Sequence, residues 1–305
     1  MISFIMPAKG VSLYIKDAID ALLPAAYQDW ELIVIEDHSA DDTLAILREI
    51  EKTDRRIKVF VNTGKGKVAG LNYGYTLANG EIVKCIDADD LLDMRFFDYL
   101  DEMVHHEATC HDGYVIKSNL KVMGRYSVDK SILGKDFIYC LRNLKGIPKW
   151  AWSFGRNIGD RIFPMPENLP FEDVWFSLII KKYTDKIGYI NKPLYYYRQH
   201  DNQTYGGILN FDSEVLAFRA GRMLKLIDVI KHEQSKRLIR DIEDEEFFND
   251  IQIFYNLLAD ERAGLRHIVT SGITGELKLK LLVYKKLNRL APSIIKLKWF
   301  LDKIR

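Results

Sequence analysis

Three aspartates stand within four residues in the first third of the chain: Asp87, Asp89 and Asp90. They follow the apolar run at 82–86, which is short and rich in β-branched residues and therefore predicts a buried strand. In an open α/β sheet, ligands bind outside the carboxyl ends of the strands, where these acids would lie. An Asp-x-Asp pair there can chelate Mg²⁺ or Mn²⁺, which take oxygen ligands. The alternative is an acidic turn that caps a helix beginning near Leu91.

The first two predicted strands also end in residues suited to binding. Pro7, Ala8 and Lys9 end the first strand, and Asp37 ends the second. Parallel strands share one carboxyl edge, so these residues should lie beside the three aspartates. An Asp carboxylate can accept a hydrogen bond from the imide N–H of a planar base such as uracil. An Asx turn before the following helix explains Asp37 equally well.

A glycine-rich basic segment, Gly64-Lys65-Gly66-Lys67, precedes a predicted helix. Its backbone amides and the Lys67 ammonium are suited to approach phosphate. The segment lacks the spacing of a Walker P-loop, and it lacks the glycine pattern and acidic partner of a nicotinamide-binding turn. We therefore interpret it as a weaker, unclassified phosphate contact.

Carboxylates recur downstream, where Glu172 and Asp173 open an apolar helix predicted to reach about Tyr183. A carboxylate within reach of an acceptor hydroxyl can act as a general base. Acids are also common at helix N-termini because they interact favourably with the helix dipole. Farther on, Arg198 and His200 share one face if extended; Arg suits a diphosphate and imidazole suits a metal, although an isolated His is usually structural.

Prolines and aromatic residues are concentrated between about 110 and 205, which predicts a loop-rich substrate region. Trp150 and Trp152 point to the same side if their segment is extended, so an acceptor platform is one interpretation. Packing of both rings in the core is the other.

Regular alternation of strand and helix signals in the first 100 residues positions these side chains. Apolar runs predict strands at 2–6, 31–35, 57–61 and 82–86. Ser12 is the expected cap of the first intervening helix and Asp41 or Asp42 that of the second, while the third spans about 68–77. This order predicts an α/β fold with a parallel sheet and crossover helices. The pattern from about 211 onward is helical.

The composition indicates an ordinary globular protein, with 305 residues, 48% hydrophobic and 29% charged. Three cysteines without CxxC or zinc-type spacing indicate free thiols and a reducing compartment. The first residues form a strand pattern and have no basic leader, and no window of 18 uncharged apolar residues occurs. We therefore expect a cytoplasmic protein without a spanning helix.

Charge is unevenly distributed although the net charge is only +1. The basic tail, defined here as residues 276–305, holds nine Lys or Arg against two acids, so the remainder carries about −6. This body is not that of a nucleic-acid binder. Leucines, Trp299 and Phe300 alternate with the lysines of the tail, and such helices can lie on anionic lipid headgroups. Packing of the tail on the acidic body is the alternative.

Taken together, six short segments resemble glycosyltransferase family 2 over about residues 1–205. Each is weak alone, but all six occur in the family's order and at plausible spacings. The segments are Ser3-Phe-Ile-Met-Pro-Ala, Val34-Ile-Glu-Asp-His-Ser-Ala-Asp-Asp-Thr, Gly66-Lys-Val-Ala-Gly-Leu-Asn-Tyr-Gly, Ala78-Asn-Gly-Glu-Ile-Val-Lys-Cys-Ile-Asp-Ala-Asp-Asp, Phe171-Glu-Asp-Val and Tyr197-Arg-Gln-His.

The resemblance implies a GT-A fold: a mixed, mostly parallel sheet flanked by helices, here followed by a C-terminal helical extension. The implied domains are a GT-A domain at 1–208, divided into a nucleotide-binding half at 1–109 and an acceptor half at 110–208, and an extension at 209–305.

The resemblance further implies an inverting transfer from a nucleotide-sugar donor, usually UDP-linked, with Mn²⁺ or Mg²⁺. The acceptor would be a hydroxyl of a surface glycan or a lipid-linked glycan. Asp173 would be the base, with Glu172 beside it. The implied donor contacts are Pro7, Ala8, Lys9, Asp37, Lys67, Asn72, Asp87, Ala88 and Arg198. The implied metal ligands are Asp89, Asp90 and His200, with Asp89 preferred.

The chain departs from the family pattern at three positions. Lys9 stands where an aromatic residue is common, Glu36 replaces a frequent Asp, and Leu71 replaces a frequent Arg. Two other functions compete with transfer. A sugar nucleotidyltransferase would need a Gly-rich loop with Arg after the first strand, which is absent here, and a non-catalytic binding protein on the same fold would not need its acids.

Overall fold

The computed structural model describes residues 1–24, 26–200, 210–233, 248–286 and 293. The chain divides into two compact units. The first comprises Met1–Phe137, Lys145–Glu167 and Glu172–Arg198, and the second comprises Ile138–Leu144, Asn168–Phe171 and Gln199–Arg305. The predicted domain boundary at 208 lies outside the described residues and stays a prediction.

The first unit begins with the predicted alternation of strands and helices. The elements are β1 (Ile2–Ala8), α1 (Ile15–Asp20), β2 (Trp30–Glu36), α2 (Thr43–Glu51), β3 (Ile57–Val61), α3 (Gly66–Leu77) and β4 (Ile82–Cys85). β1 pairs in parallel with both β2 and β4, and β2 pairs in parallel with β3. β2 is buried along its whole length, as expected for a strand covered on both faces. The predicted parallel half is confirmed.

The rest of the sheet is mixed. The elements that follow β4 along the chain are β5 (Leu91–Leu92), α4 (Leu100–Val104), β6 (Ala108–Lys117), β7 (Val122–Tyr126), α5 (Lys130–Leu133), α6 (Phe137–Arg142), β8 (Trp152–Gly155), α7 (Arg156–Ile162), α8 (Asp173–Tyr183) and β9 (Ile187–Gln199). Of these, α6 belongs to the second unit except for Phe137. The nine strands of the described residues run in the order β3-β2-β1-β4-β8-β6-β9-β5, with β7 beside β6. β8 is antiparallel to β4 and to β6.

The parallel register brings three strand ends to one edge. Ala8 pairs with Glu36 at the ends of β1 and β2, and Ile5 pairs with Cys85 at the end of β4. Asp37 therefore follows β2 beside the end of β1, and Asp87 lies two residues beyond β4. The sequence-based grouping of these tips is confirmed at the level of the backbone.

Two local predictions are wrong. The helix expected near Leu91 is replaced by the short strand β5 and a 3-10 turn at Met94–Tyr99, because Leu91 and Leu92 pair with β9. Asp93, whose carboxylate accepts from the Arg95 N–H, caps that turn. Ser12 does not cap α1, which has Tyr14 at that position; the Ser12 N–H donates to the Asp41 carboxylate instead.

The second unit contains helices α9 (Ser213–Glu233), α10 (Asn249–Ala259), α11 (Leu265–Thr270) and α12 (Gly275–Lys286). α12 holds the first part of the basic tail and packs on α10: Leu281 is fully buried, and the Lys285 ammonium donates to the carbonyls of Leu257 and Asp260. These contacts lie within the second unit; the interpretations of the tail as a lipid-binding helix and as a helix on the acidic body both stay predictions. Apart from residue 293, positions 287–305 lie outside the described residues. None of the described helices is long and apolar enough to cross a bilayer.

Candidate active site

A network of two lysines and two acids joins the end of β4 to the start of α8. The Lys67 ammonium lies 2.7 Å from Asp87 Oδ1 and 3.0 Å from Glu172 Oε1. The Lys149 ammonium lies 2.8 Å from the same Asp87 oxygen and 3.9 Å from Glu172 Oε1. Burial alone would raise the pKa of Asp87, but the two lysines hold it well below its usual value. Asp87 is therefore a permanent anion at the centre of the site.

The two acids at the start of α8 differ in their pKa values. Burial raises the pKa of Asp173 to about 6, and repulsion from the adjacent Glu172 adds to the rise. Burial also works against ionisation of Glu172, but Lys67 and Lys149 outweigh it and lower the pKa of Glu172. Acid pairs whose pKa values are pushed apart in this way are typical of acid–base sites. Asp173 has the pKa of a base that works near neutral pH.

The backbone fixes the orientation of the Asp173 carboxylate. Its Oδ1 accepts a hydrogen bond of 2.7 Å from the Lys149 N–H. Ser177, one turn farther along α8, accepts from the Ile147 N–H at 2.8 Å. Because both bonds tie the start of α8 to the segment before β8, the segment Ile147–Lys149 and the catalytic candidates form one rigid group.

Asp90 is not a helix cap, so that alternative interpretation of the acidic turn is wrong. Its Oδ1 accepts a hydrogen bond of 2.7 Å from the Arg198 N–H in β9. The side chain is buried, and burial together with repulsion from Asp89 and Asp87 raises its pKa well above the usual value. The Asp90 carboxyl therefore ties the tip of β4 to β9, and its surroundings favour the neutral form.

The described residues contain no group of three or more His, Cys, Asp or Glu side chains arranged to hold a metal ion. Asp87 is already bonded to two ammonium groups, which leaves Asp89 and Asp90. Asp90 Oδ2 is buried and has no hydrogen-bond partner among the described residues. A buried carboxylate oxygen without a donor is suited to a cation, so the chemistry of Asp89 and Asp90 fits a divalent metal.

The Asp37 carboxylate connects the ends of β1, β2 and β3. Its Oδ2 accepts from the Lys9 ammonium at 3.0 Å, and its Oδ1 accepts from the Asn62 amide at 2.7 Å and from the Gly66 N–H at 2.9 Å. These partners come from other segments, so Asp37 is more than an Asx turn. Gly66 has a φ of +86°, which places the loop in a conformation that favours glycine.

Comparison with known proteins identifies the family. A profile described as "Glycosyl transferase family 2" matches residues 3–188. The chain belongs to glycosyl transferase family 2. The family consists of inverting glycosyltransferases, so the chain is a glycosyltransferase.

Two relatives illustrate the range of similarity within the family. A GalNAc(5)-diNAcBac-PP-undecaprenol beta-1,3-glucosyltransferase of Campylobacter jejuni is 24% identical over 85% of this chain and 81% of its own length. An uncharacterized glycosyltransferase of Haemophilus influenzae is 36% identical, but over only 30% of this chain and 37% of its own length. The chain thus spans little more than a third of the second relative.

Two solved structures of glycosyltransferases share the fold. Staphylococcus aureus TarS, residues 1–349 with UDP-GlcNAc, gives a TM-score of 0.57 at 16% identity, covering 97% of this chain and 92% of that one. The mannosyltransferase PcManGT of Pyrobaculum calidifontis, with GDP-Man and Mn²⁺, gives 0.55 at 18% identity, covering 97% and 86%. The predicted GT-A architecture is confirmed.

Several residues implied by family 2 are engaged differently from expectation. The Arg198 guanidinium, expected at the diphosphate, lies 3.2 Å from the Asp17 carboxylate and stacks on Tyr14. The Asn72 amide, expected at the donor, makes two hydrogen bonds to the backbone of Met165. Both of its polar atoms are used there, and its contact with the donor stays a prediction.

The two tryptophans belong to the core. Trp150 is 4% exposed and stacks on Tyr195, with 4.9 Å between the ring centroids, and Trp152 is fully buried. An acceptor platform needs an exposed ring face, so the interpretation of Trp150 and Trp152 as acceptor contacts is dropped. His200 falls in the second unit, and its role as a metal ligand stays a prediction.

Sequence reasoning missed Lys149, which is 1% exposed and lies between Asp87 and Glu172. It also missed Tyr195, whose hydroxyl accepts from the Asp87 N–H at 2.9 Å. Lys149 carried one overlooked signal: a charged residue between Pro148 and Trp150 in an otherwise apolar run. Tyr195 stood in a run of three tyrosines and had no signal of its own.

Proposed function

We propose that this chain transfers a sugar from a UDP-linked donor to a hydroxyl of a lipid-linked glycan, with Asp173 as the base. One observation carries the assignment: Asp173, with a pKa raised to about 6, is joined through Lys149 to the acids at the end of β4. That edge of the sheet is where α/β proteins bind nucleotides. Base and donor site are therefore connected by one network.

In the proposed reaction, the acceptor hydroxyl gives its proton to Asp173 while its oxygen attacks the anomeric carbon of the donor. The bond from that carbon to the nucleoside diphosphate breaks with both electrons staying on the diphosphate. Attack from the face opposite the leaving group inverts the anomeric centre. Lys67 is the more exposed of the two lysines, with 46% of its side chain exposed, and we assign it to the developing diphosphate charge.

We assign recognition of the donor base to the ends of β1 and β2. Asp37 offers carboxylate oxygens to an imide N–H, and the exposed Lys9 ammonium beside it offers a donor to a ring carbonyl. Pro7 and Ala8 form the backbone edge of this position, and Ala88 with Asp87 would contact the ribose. Arg198 would reach the diphosphate only after leaving Asp17.

We further propose a divalent cation, Mn²⁺ or Mg²⁺, held by Asp89 and Asp90. When bound, such an ion supplies Lewis-acid stabilisation of the departing diphosphate. The Oδ2 of Asp90, which has no hydrogen-bond partner within the part of the chain that the structure describes, supports this assignment.

The acceptor class rests on relatives. The Campylobacter enzyme is named for an undecaprenol-diphosphate substrate, and an Escherichia coli relative, 28% identical over 44% of this chain and 50% of its own length, is named UDP-Glc:alpha-D-GlcNAc-diphosphoundecaprenol beta-1,3-glucosyltransferase WfgD. Such acceptors sit in a membrane. We therefore propose action at the cytoplasmic face of the membrane, in surface polysaccharide synthesis, with the basic tail on anionic lipids.

The test is a panel of UDP- and GDP-sugars with Mn²⁺, read first by thermal shift, because a ligand that binds only the native state raises its melting temperature. Donors that shift the protein are then offered with lipid-diphosphate acceptors, and nucleotide release is measured. Asp173→Asn should bind the donor normally but lose at least about 100-fold in transfer. Asp29→Asn, a change on an exposed carboxylate, is the matched control. Full transfer by Asp173→Asn would exclude Asp173 as the base. If the wild type binds the donor but transfers no sugar, a non-catalytic protein would be favoured.

A further inference from the structure

Lys149 is a lysine in an unusual place. Its side chain is 1% exposed, and lysine is almost never buried unless its charge is paired. Here the ammonium lies 2.8 Å from Asp87 and 3.9 Å from Glu172, while the N–H of the same residue donates to Asp173 at 2.7 Å. One residue thus contacts three carboxylates through two different groups.

We propose that Lys149 is a positioning residue that makes Asp173, and not Glu172, the acceptor of the proton. Its N–H orients the Asp173 carboxylate, and its ammonium, together with that of Lys67, occupies Glu172. This inference rests on the proposed role of Asp173 as the base. Lys149 itself does not contact the reacting atoms.

Lys67 does not duplicate this role, although it contacts the same two acids. It follows Gly66 at the start of α3 and lies closer to Glu172 than Lys149 does, at 3.0 Å against 3.9 Å. Its side chain is 46% exposed, however, and its described ion pairs do not include Asp173. Lys149 begins a 3-10 turn at Lys149–Ala151, directly after Pro148, whose ring fixes φ. The rigid backbone explains how its N–H and its ammonium serve different carboxylates at once.

The other titratable groups near Asp173 agree with this division of roles. Glu172 is its neighbour in the chain, Asp87 faces the pair from β4, and Lys67 faces it from α3. Cys85 in β4 stays a neutral thiol because burial raises its pKa to about 12. Lys84, also in β4, is buried against His111, and burial lowers its pKa well below the usual value. Lys149 therefore acts on the acid pair together with Lys67, and of these two cations it is the buried one.

The experiment compares the pH dependence of kcat/KM in Lys149→Met and the wild type, using the full chain and the active donor from the panel. Methionine keeps the length of the side chain but removes the charge, so Glu172 becomes a competing site for the proton. The positive charge of Lys149 lowers the pKa of both Glu172 and Asp173, so its removal should raise both and move the acidic limb of the profile up by about one pH unit. Lys149→Arg should restore the wild-type limb.

A matched control and a second variant keep the test decisive. Lys181→Met removes a lysine on α8 that binds the Leu133 carbonyl and no carboxylate among its described bonds, and it should leave the limb in place. If Lys149→Met does not fold, a double variant that also carries Glu172→Gln removes the carboxylate left without its cation. The acidic limb of this double variant should lie at the wild-type position.

The outcomes separate this inference from the proposed function. A wild-type limb in Lys149→Met, or a displaced limb in the double variant, overturns the role of Lys149 while Asp173 remains the base. Full turnover in Asp173→Asn overturns the base and the inference together. The inference is supported if Lys149→Met displaces the acidic limb and if Lys149→Arg and the double variant both show the limb at its wild-type position.

Discussion

Replacing Asp173 by asparagine should make the protein more stable while it abolishes transfer. The ionised carboxylate is unfavourable in its folded surroundings, because burial and the neighbouring Glu172 raise its pKa from 3.8 to about 6. Asparagine removes the charge and keeps the oxygen that accepts from the Lys149 N–H. The ionised Asp173 therefore lowers the stability of the folded protein while it provides a base of suitable pKa.

The size of the effect follows from linkage. A pKa difference of roughly two units corresponds to an upper limit of about 3 kcal/mol at pH 7.5, and we expect about 2 kcal/mol because Asp173 is only half-buried. The folded state binds its proton more tightly than the unfolded state. The penalty is thus fully present above pH 6, is about half as large near pH 5, and vanishes below pH 4.

The measurement is urea denaturation at pH 7.5 and pH 5, followed by tryptophan fluorescence. Trp30, Trp150, Trp152 and Trp175 all lie in the first unit, so the signal reports mainly that unit. The gain in stability of Asp173→Asn should shrink on going to pH 5.

Glu172→Gln is the matched control with the opposite sign. The pKa of Glu172 is lowered in the fold, so its charge stabilises the protein above its unfolded pKa and this contribution is lost as the pH falls. Glu172→Gln should therefore destabilise the protein at pH 7.5. The reasoning is refuted if Asp173→Asn is less stable than the wild type at pH 7.5, or if its advantage grows toward pH 5.

Three further predictions follow from particular contacts. Asp89→Ala should lose the Mn²⁺-dependent part of UDP-sugar binding in calorimetry. Asp87→Asn should keep it, because two lysines already occupy Asp87. Equal Mn²⁺ dependence in Asp89→Ala and the wild type would exclude Asp89 as a metal ligand. Ser177→Ala should cost about 1–3 kcal/mol in urea denaturation, because the buried Ile147 N–H loses its acceptor, and an unchanged midpoint would contradict that bond. Leu281→Ala should cost about 2–5 kcal/mol, seen as faster hydrogen exchange in α10 and α12, and unchanged exchange would show that α12 does not depend on this contact.

The local pattern of the sequence predicted the first half of the fold well. Strands and helices at 2–8, 30–36, 57–61, 66–77 and 82–85 follow from apolar periodicity and turn residues, which depend on neighbours in the chain. The same pattern put Asp37 and Asp87 at the ends of parallel strands. The acidic turn was harder, because nothing local shows that Leu91 and Leu92 pair with Tyr195 and Tyr196 about a hundred residues later.

The sequence by itself determined the order of elements, the family and the acids that end its strands, since these depend on spacing along the chain. Tertiary structure alone decided how those acids are used. Lys149 meets Asp87 across 62 positions and Arg198 meets Asp17 across 181, separations that no local pattern encodes. Burial then sets the pKa of Asp173, because only the fold removes water from it and brings Lys149 beside it.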